Sequence, residues 1–346
     1  SIEVWMEEEG VEKKIVFSGD IGNKNKPLIK NPSYIDEADY VVMECTYGDR
    51  THDRTHEHIE ELAQILQESL DRGGNLVIPA FAVGRTQEIL YFMRKIKEEK
   101  LIKGHDDFEV YVDSPLAVEA TQVFTKNIME CYDEEAMDLV NRGINPIGFP
   151  GLKLSITSED SKNINFDMTP KVIISAAGMC DAGRIRHHLK HNLWREECSV
   201  VFAGYQAEGT LGRLLQDGTP AVKIFGEEID VKAHIETLDG ISGHADRDGL
   251  LTWAAAFEQK PQYVFVVHGN DESCESLTDA LTTQLGLTAK APYSGSEFDL
   301  IRGLWIRETE PVLVEAETQA TRKATGIYTR LVDAGQMLMD VIARNQ

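Results

Sequence analysis

The sequence predicts an α/β fold, a mostly parallel sheet flanked by helices. Strand-length apolar runs at residues 75–81, 108–112, 171–175 and 199–203 are each followed by a loop and then a helical pattern. The loops after the third and fourth runs are rich in small residues and lead straight into helices. Near the end, Ile241-Ser242-Gly243-His244-Ala245-Asp246-Arg247 is answered by Val264-Phe265-Val266-Val267-His268-Gly269-Asn270. A strand that stops at a histidine followed by glycine presents an imidazole at the rim of a sheet, where α/β enzymes hold their chemistry.

The bulk numbers narrow the class. At 346 residues the chain has room for two domains, taking about 150 residues for each. No apolar run approaches the roughly 18 residues that span a bilayer, and no signal peptide is visible, so no membrane partner is expected. The five cysteines are widely spaced with no C-x-x-C. That argues against a disulfide framework and a cysteine-built zinc site, and fits a reducing, cytoplasmic setting. The net charge of −23 lowers the expectation of non-specific nucleic-acid binding but says nothing about the lining of a cleft.

Taken in order, residues 2–6 and 14–17 alternate across Glu8-Glu9-Gly10, a hairpin signal. A chain that opens on a hairpin leading straight into Ser18-Gly19-Asp20 reads as one cut from something longer. Asp20 stands in a glycine-bracketed loop, as an Asx turn or as a functional carboxylate. Residues 40–43 read as a buried strand that delivers Glu44 at its carboxyl end. His52, His56 and His58 form the polar start of a helix whose apolar face is Ile59, Leu62, Ile65, Leu66 and Leu70, rather than a ligand set.

Next come the run at 75–81 and a helix from Gly84 through Lys97. The strand at 108–112 leads through Asp113-Ser114-Pro115 into a helix to Met129, the proline fitting a helix start. A looser Gly/Pro/Asn-rich stretch covers 141–170. The loop after Ser175, with Ala177, Gly178 and Met179, opens the helix bearing His187, His188 and His191. The loop Gly204-Tyr205-Gln206 opens the helix of Leu211, Leu214 and Leu215. Backbone N–H groups at helix starts make anion sites, so these loops, with Arg85 at a third helix start, are candidate phosphate contacts. The alternative is that their glycines only serve tight turns.

Residues 231–238 alternate like an antiparallel strand. A helix over 249–257, a strand at 262–267, a helix over 273–285 and a closing strand near 298–301 follow. Beyond Arg307 an amphipathic helix carries Leu331, Met337, Leu338, Val341 and Ile342, a face for docking on the body or on a sister subunit in a homodimer.

Asp20, Glu44, His244 and His268 thus stand at strand ends. Carboxylate and imidazole suit either ligation of a divalent metal such as zinc or general acid–base work near neutral pH. A catalytic zinc wants about three protein ligands, and neither H-x-H-x-D-H nor H-E-x-x-H occurs in the chain.

Seven motifs between residues 18 and 269 carry a resemblance. They are Ser18-Gly19-Asp20-Ile21-Gly22, Glu44-Cys45-Thr46-Tyr47-Gly48-Asp49-Arg50, Pro79-Ala80-Phe81-Ala82-Val83-Gly84-Arg85-Thr86-Gln87 and Asp113-Ser114-Pro115-Leu116-Ala117. Gly204-Tyr205-Gln206-Ala207-Glu208-Gly209-Thr210-Leu211-Gly212-Arg213, Ser242-Gly243-His244-Ala245-Asp246 and Val267-His268-Gly269 complete the set. Together they resemble the β-CASP branch of the metallo-β-lactamase superfamily, which contains RNA-processing nucleases.

The resemblance implies a partial metallo-β-lactamase αββα sandwich (1–44 and 231–307), an inserted β-CASP domain (45–230) and a C-terminal tail (308–346). It implies a zinc-dependent ribonuclease acting on single-stranded RNA. Asp20 would bridge two zincs, His268 would be a terminal ligand, and His244 would protonate the leaving oxygen while held by Glu44. Ala177, Gly178, Met179 and Gly204, Tyr205, Gln206 would line the RNA cleft, beside Arg85 and Ser175. The family's H-x-H-x-D-H motif would precede Ser1. The expectation is therefore a fragment lacking most metal ligands, holding no zinc or a partial complement, and inactive alone. Two other readings are a non-catalytic RNA-binding scaffold and a metallo-hydrolase of a small substrate.

Overall fold

The computed structural model describes residues 1–52, 58–238 and 240–312. The chain runs β1 (Ile2–Glu8), β2 (Val11–Phe17), β3 (Tyr40–Glu44), α1 (His58–Asp71), β4 (Leu76–Pro79), α2 (Arg85–Glu98), β5 (Glu109–Asp113) and α3 (Pro115–Lys126). Then come α4 (Ile128–Cys131), α5 (Glu134–Asn141), β6 (Leu152–Ser155), α6 (Ser158–Phe166), β7 (Lys171–Ser175), α7 (Ile185–Asn192), β8 (Ser199–Phe202) and α8 (Leu211–Gln216). It continues through β9 (Ala221–Ile224), β10 (Glu227–Asp230), β11 (His234–Thr237), α9 (Arg247–Ala254), β12 (Tyr263–Val267), α10 (Asp271–Leu285) and β13 (Ala289–Lys290). The hairpin of β14 (Glu297–Asp299) and β15 (Leu304–Arg307) follows. Residues 1–291 form one compact unit, and the described residues from Pro292 to Val312 belong to another. The amphipathic helix expected around Leu331 to Ile342, and His56, lie outside the described residues.

Two sheets build the first unit. One has the order β1-β2-β3-β12-β13. Its β1–β2 hairpin is antiparallel, and β2–β3, β3–β12 and β12–β13 are parallel. Val16, Val41, Met43, Val264 and Val266 pack with Leu250 and Trp253 of α9 and Leu277 and Leu281 of α10. Those positions alternate with residues on the opposite face, as the pleat requires. The second sheet has the order β11-β8-β4-β7-β5-β6 and is parallel throughout. Its central strands β4, β7 and β8 are buried at every residue, the pattern of a sheet covered on both faces.

The expected α/β architecture is present, with several corrections. The strand expected to be antiparallel over 231–238 is β11, paired parallel with β8 (Ile235 opposite Val200) at the edge of the six-stranded sheet. Alternation reports one-sided burial, and a half-buried edge strand alternates whatever its direction. The stretch 141–170 is not loose: it holds β6 and α6. β6 is the other edge strand, half of it exposed, so its Leu-Lys-Leu-Ser carried no continuous apolar signal. The helix expected to reach Met129 ends at Lys126, where the Asn127 side chain bonds back to the Val123 carbonyl, and restarts as α4. The strand expected near 298–301 is half of the β14–β15 hairpin.

Candidate active site

Strand topology gathers the candidate residues. β2, β3 and β12 are neighbouring parallel strands, so their carboxyl ends face one way. Val267 is paired in register with Glu44, which puts His268 one residue past the end of the sheet beside that carboxylate. Asp20 follows β2 and is exposed, in a turn fixed by Ser18. The Ser18 N–H donates to the Val42 carbonyl at 2.8 Å, and its hydroxyl accepts from the Glu44 N–H at 3.1 Å.

His244 reaches the same rim from the loop before α9. Gly22 and His244 form an isolated antiparallel bridge, and the Ala245 N–H donates to the Ile21 carbonyl at 2.7 Å. Asp246 caps α9 by accepting from the Gly249 N–H at 2.8 Å, and its second oxygen accepts from the His52 N–H at 3.1 Å. An Asx cap holding both a helix start and a neighbouring loop fixes the imidazole two residues earlier.

The centre of the site is the pair Glu44 and His244. His244 Nδ1 lies 3.2 and 3.1 Å from the two carboxylate oxygens of Glu44, which is 2% exposed. The Ile21 and Thr46 N–H groups also donate to that carboxylate. Burial alone would raise the Glu44 pKa, but the hydrogen bonds from His244, Thr46 and Ile21 hold it below the ordinary value. The hydrogen bond to Glu44 raises the His244 pKa against the opposing effect of burial. With Nδ1 so engaged, Nε2 is the atom left for proton exchange.

His268 has its Nδ1 3.2 Å from the Thr46 hydroxyl, and its ring is 6.2 Å from that of His244, the planes 24° apart. A histidine oriented through one nitrogen presents the other as a ligand. Ligand atoms of Asp20, Glu44 and His244 all lie within 4.8 Å of one another, and His268 is not in that group. Carboxylate oxygen and imidazole nitrogen suit zinc in kind. Both Glu44 oxygens are already engaged in hydrogen bonds.

The residues expected at phosphates divide into two sets. Arg85 turns inward: its guanidinium pairs with Glu88 and donates to the Ile241 carbonyl at 2.7 Å, with side chains 9% and 7% exposed. Lys26 joins them, 3.4 Å from Glu88 and 3.2 Å from the Ser242 carbonyl. This cluster clamps the loop that carries His244, a different job from the phosphate contact expected of Arg85. Ser175 is buried with its hydroxyl donating to the Asp113 carbonyl, and Gln206 is buried with its amide donating to the Gly178 carbonyl. Ala177, Met179, Gly204 and Tyr205 are at least partly exposed. Gly178 packs so closely that a Cβ would sit 3.1 Å from the Phe81 ring. Gly204, Tyr205 and Gln206 line a cavity of about 340 Å³ together with Tyr47, Arg50, His52, Arg213, Ile241 and Ser242. That cavity joins the loop after β8 to the loop that carries His244.

His52, expected at the polar start of a helix, lies ahead of α1 (His58–Asp71), with its Nε2 3.2 Å from the His244 carbonyl and its ring edge-on to Tyr47 at 4.7 Å. Sequence reasoning passed over a buried network at Asp113, whose carboxylate meets His188 Nε2 at 2.7 Å, Arg184 at 2.7 Å, Ser161 at 2.6 Å and Ser155 at 2.8 Å. A carboxylate directly before a Ser-Pro helix start was the available signal.

Residues 86–215 match the model of the Beta-Casp domain, and residues 228–292 match that of the Zn-dependent metallo-hydrolase RNA specificity domain. A protein of Thermus thermophilus named as a ribonuclease is 38% identical over 271 residues, covering 78% of this chain and 60% of that protein. The transcription termination factor FttA of Thermococcus kodakarensis is 32% identical over 269 residues, covering 76% and 40%. An RNase J-like protein of Methanocaldococcus jannaschii is 31% identical over 288 residues, covering 82% and 63%. The chain thus spans between 40% and 63% of the lengths of these relatives. Among the described residues, no helix is long and apolar enough to cross a membrane.

Proposed function

This chain belongs to the β-CASP branch of the metallo-β-lactamase superfamily, and on that footing we propose that its site hydrolyses phosphodiester bonds of single-stranded RNA with zinc as cofactor. The observation that carries the proposal is the Glu44–His244 pair at the rim shared by Asp20 and His268. When bound, zinc supplies Lewis acidity to the reacting phosphoryl group and makes water a stronger acid. Asp20 and His268 are the residues here that would hold it.

His244 is the proton donor. Glu44 accepts from Nδ1, fixing ring orientation and tautomer and stabilising the imidazolium, so that Nε2 delivers its proton to the departing oxygen. Positioning falls to Asp246 and to the Arg85–Glu88–Lys26 cluster, which hold the loop on either side of His244.

Single-stranded RNA is the substrate class that best suits the loops after β4, β7 and β8. Tyr205 is 60% and Phe81 49% exposed. Exposed aromatic rings on adjacent loops suit unpaired bases, each stack contributing about 1–3 kcal/mol. Arg50 and Arg213 line the same cavity, each already paired with a carboxylate, Asp49 at 3.2 Å and Asp217 at 2.8 Å. Offering labelled single-stranded RNA to the full-length protein, with zinc and after chelation, tests the reading. Cleavage that chelation abolishes is expected. Binding with no cleavage in either condition would favour a scaffold instead.

A further inference from the structure

Two cysteines far apart in the chain meet behind the site. Cys45 follows Glu44 at the end of β3 and is fully buried, whereas Cys274 lies in the first turn of α10 and is partly exposed. Their Sγ atoms are 3.1 Å apart, and Cys45 Sγ is also 3.2 Å from the Val267 carbonyl. Two glycines admit the approach. A Cβ on Gly269 would fall 2.4 Å from Cys45 Sγ, and one on Gly48 would fall 2.5 Å from the Ser273 carbonyl oxygen. The same seam is closed by the Ser273 hydroxyl donating to Asp49 at 2.8 Å and by the Thr46–His268 contact. Among the described residues no other two cysteines touch.

We propose that Cys45 and Cys274 form a reversible modification site that reacts with a low-molecular-weight disulfide of the glutathione type. Cys274 is the entry thiol, because it is the one that solvent reaches. The hydrogen bond from Cys45 favours the Cys274 thiolate and lowers its pKa, while the same contact and burial raise that of Cys45.

The Cys274 thiolate attacks one sulfur of the small disulfide. That S–S bond breaks, and one small thiolate leaves and takes up a proton from water. Cys45 then loses its proton to water and attacks the Cys274 sulfur of the mixed disulfide. The Cys45–Cys274 bond forms, and the second small thiolate leaves and is protonated. Two protein thiols are thereby oxidised by two electrons, and one small disulfide is reduced to two thiols. The product ties the strand end that carries Glu44 to the helix that follows His268.

The test exposes the reduced chain, without metal, to oxidised glutathione, then blocks remaining thiols and maps peptides by mass. Loss of two of the five thiols, a decrease of about 2 Da, a Cys45–Cys274 linked peptide and reversal by dithiothreitol are expected. Cys274→Ser should abolish the link and Cys131→Ser should leave it intact. Retention of all five thiols, a lasting glutathione adduct on Cys274, or a link between other cysteines would overturn the proposal.

Discussion

His244 and Glu44, 200 residues apart in sequence, meet with the imidazole Nδ1 at 3.2 and 3.1 Å from the two carboxylate oxygens. The pair is held from both sides, since Ile21 and Thr46 donate to the same carboxylate and Ala245 is pinned to Ile21. Glu44→Gln replaces an acceptor-only group with one that cannot stabilise the imidazolium. Its expected effect is a fall in kcat of about 10²-fold with RNA affinity little changed. Steady-state kinetics read the split, and a loss confined to KM would assign Glu44 to binding instead.

The Arg85–Glu88–Lys26 cluster makes a prediction about stability. Glu88→Gln leaves two partly buried cations without their carboxylate, and since removing one partner of a fully buried pair costs about 3–5 kcal/mol, a loss of about 2–3 kcal/mol is expected. Urea denaturation should show that loss as a lowered midpoint with an unchanged slope. A variant within about 0.5 kcal/mol of wild type would mean that the cluster holds nothing together.

Asp113 sets an acid limit on the fold. Burial alone would raise its pKa, but hydrogen bonds from His188, Ser161 and Ser155 bring it down to about 2. The unfolded value is about 3.9, so the folded state binds the proton less readily and stability falls with pH in this window. The contribution, on the order of 2 kcal/mol, is complete above about pH 5 and lost as pH drops through about 4 to 2. Asp113→Asn removes the linkage, so the stability gap between wild type and variant should narrow across that window. A gap constant from pH 6 to pH 2 would show that the carboxylate does not titrate with folding.

Two glycines separate backbone strain from steric conflict. Gly209 has φ of +80° with open space around it, whereas Gly183 has φ of +82° and a Cβ there would lie 2.2 Å from the Ala176 carbonyl oxygen. Gly209→Ala should cost about 1–2 kcal/mol for the left-handed backbone alone. Gly183→Ala should cost about 1–3 kcal/mol more, because the loop after β7 must open. Thermal melts of the two variants measure the difference, and equal losses would mean that the loop yields freely.

Much of this was legible in the sequence because buried parallel strands announce themselves. β3, β4, β7, β8 and β12 are short apolar runs, and the carboxyl ends of β3 and β12 deliver Glu44 and His268 to one rim, whereas Asp20 follows β2 and His244 comes from the loop before α9. Edge strands were harder: β6, half of it exposed, was missed, and β11, paired on one side only, was expected as a strand but with the wrong direction. Side-chain direction was not legible either. Arg85 stands at a helix start that would suit a phosphate, yet Glu88 one turn later and the Ile241 carbonyl claim its guanidinium. The contact between Cys45 and Cys274 joins segments 229 residues apart, which no local spacing encodes.

Single-turnover cleavage of labelled single-stranded RNA by wild type and His244→Ala, at matched metal content, tests the central claim most directly. The rate should fall by about 10²–10⁴ while the Kd for RNA stays within about threefold. Equal rates in the two proteins would contradict the assignment of His244 as the proton donor.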